Sequence, residues 1–285
     1  MNSLRREHRA LRVAVVAGAF ALLALALFAP AAAGRETAEH RTATAIYPEA
    51  TESADTEGAP DADDILRSYD DLYSSTGTEA TVEITIVTPK KTRNLKLRYW
   101  AKGEDKALMV IDAPPRDAGT ATLKVDKNLW NYLPKIARTI RVPPSMMMGS
   151  WMGSDLTNDD IVRDSSYEDD YESQVVGRTE DPPGWRVRMT ARPDAVGLWN
   201  SVEMVFADDS WLPVMAQFYD RKDRLSRTMT FGDVGVVNGR HVPMLITIVP
   251  EREEGRRTEF RYLDVEFDVE LSDDTFSLSR LERMH

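Results

Sequence analysis

The chain has 285 residues, with 36 Lys and Arg against 47 Asp and Glu, a net charge of −11, and no cysteine. An acidic protein is a poor match for nucleic acid, whose phosphates demand a basic face, and for adsorption to anionic headgroups by overall charge. Without thiols there are no disulfides, no thiolate catalysis and no sulfur-ligated metal, and a chain this long buries a core without cross-links.

Arg5, Arg6, Arg9 and Arg12 form a basic start, Val13 to Phe28 is an apolar run, and Ala31-Ala32-Ala33 supplies small residues for cleavage. This three-part pattern predicts a secretory signal peptide over 1–33, cut after Ala33. The alternative is an uncleaved anchor, although the run falls short of the ~20 residues that span a bilayer. Leader removal takes away four arginines and one acid, which makes the remainder more acidic still. No cysteine follows to carry a lipid, so the product is expected to be free and soluble. Residues 34–60, rich in Ala, Thr, Glu and Pro, predict a disordered tether, and 61–285 a single domain.

Asp61 is placed to cap a helix whose apolar face is Ile65, Leu66, Tyr69, Leu72 and Tyr73. Strands follow. Val82, Ile84 and Ile86 alternate with polar residues, as do Leu95, Leu97 and Tyr99, then Trp185, Val187 and Met189. Val202, Met204 and Phe206 form another set, as do Met244, Ile246 and Ile248, and finally Leu263, Val265, Phe267 and Val269. Strict period two places one face in a core and the other in water, as antiparallel sheets allow. Turn signals separate the runs, among them Asn238-Gly239, a favoured two-residue hairpin. The count predicts a mainly β protein with a few helices, built on an antiparallel sheet of about ten to twelve strands. Twist accumulates in so long a sheet, so it must curl, and a half-closed curl has a concave apolar face. One helix near the start and another stretch mid-chain are too little to fill it, which leaves a groove.

Residues 128–163 break this alternation. A strand at Leu129–Leu133 leads to Arg138–Val142, and Pro143-Pro144 then removes two amide donors and stops sheet pairing. Ser145-Met146-Met147-Met148-Gly149-Ser150-Trp151-Met152-Gly153-Ser154-Asp155-Leu156 follows, and Thr157 caps a short helix through Asp160. Methionine is unbranched and polarisable, so such a patch adapts to varied apolar shapes, an acyl chain among them. It equally suits a loop that plugs the end of an ordinary core.

The string Trp130-x-Tyr132-Leu133-Pro134-Lys135-Ile136-x-Arg138, then Pro143-Pro144-Ser145-Met146, then Gly149 to Thr157, resembles the outer-membrane lipoprotein-sorting family, the LolA-like periplasmic carriers. The likeness is strongest over 130–160 and extends loosely across 61–281. Met148 and Asn158 depart from the pattern, where a small or polar residue and an aromatic one are expected. The resemblance implies an unclosed barrel with helices over its mouth, lipoprotein acyl chains held inside, and work beside a lipid-exporting membrane pump.

The expected protein is therefore a periplasmic, monomeric carrier of lipid or lipoprotein acyl chains, needing no cofactor and no metal. An inner-membrane transporter and an outer-membrane acceptor are the expected partners. Trp130, Met146, Met147, Met148, Trp151 and Met152 would stand near the groove mouth, with Val187, Met189, Met204, Phe206 and Ile246 lining it. Lys135, Arg138 and Arg141 would meet a headgroup or an acidic partner, or simply solvate a strand edge. A sensor of the same fold that recognises envelope proteins is the rival reading. Catalysis has little to stand on: His241 alone among four histidines belongs to the fold, and no Gly-x-Ser-x-Gly elbow accompanies it. The acidic clusters lack calcium-loop spacing and fall at turns.

Overall fold

A computed structural model describes residues 58–162, 170–193 and 199–283. The predicted leader and most of the predicted tether, residues 1–57, lie outside the described residues. Helix α1 (Ala62–Leu72) is capped by Asp61, whose carboxylate accepts from the Asp63 amide at 2.8 Å. The first meander is β1 (Thr78–Thr88), β2 (Lys91–Lys102), β3 (Lys106–Ala113), β4 (Ala121–Val125), β5 (Asn128–Leu133) and β6 (Arg138–Arg141). After α2 (Asn158–Val162) the second runs β7 (Tyr171–Glu180), β8 (Pro183–Ala191), β9 (Trp199–Phe206), β10 (Pro213–Asp220), β11 (Leu225–Val237), β12 (Arg240–Pro250) and β13 (Arg257–Phe267). Helix α3 (Leu278–Glu282) ends the described chain.

The strands form one antiparallel 13-stranded sheet in the order β6-β5-β4-β3-β2-β1-β13-β12-β11-β10-β9-β8-β7. Each meander needs only hairpins, and the two halves join where the first strand pairs with the last. The sheet does not close on itself: β6 and β7 are free edges. Asn238 and Gly239, at φ 49° and 79°, make the expected tight turn between β11 and β12.

The sequence phase fails in one strand. On β13, Thr258, Phe260 and Tyr262 are buried, but Leu263, expected inward, is 47% exposed. The register with β1 slips there, Tyr262 facing Val82 and Asp264 facing Thr81, so one extra residue bulges and Phe267 returns to the core in the opposite phase.

The two faces have different covers. The concave face carries the main core, with Ile84, Leu97, Val187, Met204, Phe218 and Ile248 all at or near zero exposure. Helix α1 lays Ile65, Leu66 and Tyr69 on it, Tyr69 meeting Phe206 edge-on at 6.1 Å. On the other face, the turn after β13 and α3 bury Phe276 and Leu281 against Leu108, Leu123 and Tyr132. This second, outer core was not anticipated.

Candidate functional site

Residues 142–162, which follow β6, cross the mouth of the concave face. A single 3-10 turn, Pro144–Met146, follows the proline pair, and a hairpin-like loop then pairs Ser150 with Thr157. Met152 and Gly153 turn that loop in left-handed conformations, φ 52° and 79°. Asn158 donates from its amide to the carbonyls of Met146 (3.1 Å) and Gly149 (3.2 Å), so it staples the loop as an aromatic side chain could not. Thr157 and Asp160 cap α2 reciprocally, the Thr157 hydroxyl accepting from the Asp160 amide at 3.1 Å and the Asp160 carboxylate accepting from the Thr157 amide at 2.7 Å.

Polar bonds fasten this cover to strands far apart in the sheet. The Trp151 indole donates to Thr122 of β4 at 3.1 Å, and Arg93 of β2 donates to the Met152 carbonyl at 2.7 Å. Thr258 of β13 accepts from the Asp155 amide at 3.0 Å and donates to its carboxylate at 2.6 Å, and Arg256 pairs with the same carboxylate. Arg227 of β11 meets Asp160 at 3.3 Å. One short segment can reach β4 and β11, six steps apart in strand order, only because the sheet is strongly curved.

The Asp160–Arg227 pair is the deepest of these fastenings, with the side chains 0% and 3% exposed. The guanidinium lies over Phe218 at 4.6 Å and Trp199 at 5.1 Å, which supply quadrupole attraction in place of water. Burial pushes the Asp160 carboxyl up to about 6, against the pull of Arg227 and the Thr157 bonds. Arg227 is not singled out from sequence, and Asp160, read there as a solvated acid at a helix start, is instead fully buried and paired. The signal was there: Arg227 stands in phase with inward Met229 and Phe231, an inward arginine that needs a buried partner.

The predicted site residues separate into three groups. Val187, Met189, Met204, Phe206, Ile246 and Trp151 share the concave core and are almost fully buried. Met147, Met148 and Met152 pack against that core partly buried, while Met146 is 60% exposed. Trp130 points the other way, into the outer core with Tyr132, because its neighbour Leu129 takes the concave side. Lys135, Arg138 and Arg141 are exposed along β6 and the turn before it.

Beneath α1, Tyr73, Tyr99, Tyr262, Val242 and Phe267 enclose a cavity of about 10 Å³, room for about one water molecule. Among the described residues the buried Tyr99 and Tyr262 hydroxyls have no hydrogen-bond partner, and burial raises both pKa values, so both are neutral phenols. His241 is exposed beside an open hollow with Ser68, Asp71 and Ser210, and among the described residues it makes no hydrogen bond to them. Among the described residues no cluster of His, Cys, Asp and Glu could hold a metal, and no helix is long and apolar enough to cross a membrane.

A family model described as "uncharacterized protein" matches residues 103–283, well over half of the chain. No curated protein matches the sequence. Solved structures share the fold, three of which follow. A DUF1329 family protein from Desulfovibrio piger superposes with a TM-score of 0.70 at 24% identity, over 76% of this chain and 96% of that one. A putative outer membrane lipoprotein-sorting protein domain from Vibrio parahaemolyticus gives 0.67 at 19% identity, over 78% and 100%. A LolA superfamily protein from Nitrosomonas europaea gives 0.64 at 20% identity, over 78% and 100%.

Proposed function

We propose that this chain, which belongs to the family whose model matches residues 103–283 and shares its fold with a lipoprotein-sorting domain and a LolA superfamily protein, is an exported, non-enzymatic periplasmic carrier that holds a lipid or lipoprotein acyl chain against its concave face. In this reading it works between an inner-membrane transporter and an outer-membrane acceptor. The observation that carries the proposal is how the concave face is covered. Among the described residues no second sheet packs on it; helix α1 and one methionine-rich segment, pinned at a few polar points, do the covering.

A cover of this kind can be exchanged for cargo. In the state described, the side chains of the concave face are shielded by the protein itself, so an acyl chain enters by displacing Met147, Met148 and Met152. Each acyl methylene withdrawn from water contributes about 0.8 kcal/mol, so a chain of about 16 carbons offers more than 10 kcal/mol. That gain is set against lifting the cover and ordering the ligand. Methionine suits the exchange because its flexible thioether re-packs against the guest at little steric cost. The polar pins return the segment to one register when the guest leaves.

The test is direct. Protein purified after export is extracted with organic solvent for mass spectrometry, and the stripped protein is titrated with a fluorescent fatty acid. Co-purifying acyl lipid and saturable binding are expected. Neither lipid in the extract nor binding in the titration would end the carrier reading.

A further inference from the structure

The free edge at β6 has a composition unlike the rest of this acidic protein. From Lys127 to Ser154 there is no Asp or Glu, while Lys127, Lys135, Arg138 and Arg141 add four positive charges. The last three are exposed, and among the described residues no carboxylate pairs with them; Arg141 reaches only the Asn128 side-chain oxygen. Large apolar side chains stand exposed among these cations: Ile136 at 56%, Ile140 at 46% and Met146 at 60%. Helix α3, which touches β6, adds exposed Leu278 and Arg280, with Arg283 just after it, against a single acid, Glu282.

The patch wraps the edge rather than lying on one face. Ile140 pairs with Asn131, on the side of the methionine segment, whereas Arg141 pairs with Trp130, on the side of α3. Cations alone would be the ordinary guard of an unpaired strand. Exposed isoleucine is what such a guard avoids. The opposite edge makes the contrast: β7 exposes Glu172 and Glu180, and its Arg178 is bridged to Asp208.

We infer that the β6 edge is a docking surface for a lipid bilayer containing anionic phospholipid, which the molecule meets edge-on. Arg and Lys near an anionic surface gain electrostatic attraction that fades within a Debye length, and shallow insertion of isoleucine and methionine fixes the contact. Among the described residues this edge joins exposed apolar side chains to cations that no carboxylate pairs with, and the net acidity of the molecule turns its other faces away from the membrane. Docking this edge would bring the methionine segment, continuous with β6, to the bilayer surface. The inference does not depend on what the concave face holds.

Because the chain has no cysteine, single labels are clean. Full-length Ile140→Cys and Glu180→Cys proteins, each carrying an environment-sensitive dye, are titrated with phosphatidylcholine vesicles with and without phosphatidylglycerol. We expect a blue shift at position 140 with phosphatidylglycerol vesicles only, weakened by salt, and none at 180. Adding Lys135→Gln, Arg138→Gln and Arg141→Gln to the position-140 protein should raise the apparent dissociation constant at least about tenfold. No shift at 140, the same shift with neutral vesicles, an equal shift at 180, or no loss in the triple variant would each overturn the inference. A fatty-acid titration of the same preparation scores the carrier reading separately.

Discussion

Asp160 and Arg227 show how a buried charge pair can serve as a fastening rather than a stabiliser. Removing both ions from water costs several kcal/mol, and their attraction repays it only while the geometry holds. Losing one partner strands the other. We predict that Arg227→Met alone lowers unfolding stability by about 3 kcal/mol near neutral pH, and that adding Asp160→Asn recovers part of that loss, as urea unfolding would show. Asn keeps an acceptor for the Thr157 amide, so the cap is not lost with the charge. The pH dependence has a definite sign. Burial raises the folded-state value of Asp160 from 3.8 to about 6. Its contribution is therefore complete below about pH 4 and is lost as pH rises through 6, a slope that Asp160→Asn should remove. Spacing marks Arg227 as inward but not its partner, because the two residues come together only when the sheet curls.

At the scale of elements, most strands were legible, since period-two alternation over Val82–Ile86 or Val202–Phe206 has a single physical reading. The capped helix at Asp61 and the arrest at Pro143-Pro144 were equally plain. The bulge at Leu263 was not, because a run that alternates cleanly in sequence says nothing of a slip against its partner β1. We predict that Leu263→Ala changes stability by no more than about 0.5 kcal/mol, whereas Phe260→Ala on the same strand costs about 3 to 5 kcal/mol. The opposite order would restore the unbroken phase. Trp130 illustrates a second limit. Alternation told which residues share a face, but the outer face is also apolar here, covered by Phe276 and Leu281 from the chain's far end. With two cores available, an aromatic on β5 could belong to either.

For the whole molecule, the strand count foretold the curl, and the curl is what lets a segment pinned at β2, β4, β11 and β13 shut the concave side. The account stands on that segment being a removable cover over an acyl site. Asp155 and Thr258 touch through two hydrogen bonds, so Asp155→Cys with Thr258→Cys places two thiols side by side in a chain that has no others. The decisive measurement is fluorescent fatty-acid binding to this double variant, oxidised and then reduced in the same cuvette. Binding lost in the disulfide form and recovered on reduction is the predicted result. Equal binding in both forms, or none in either form or in the unmodified protein, would contradict it.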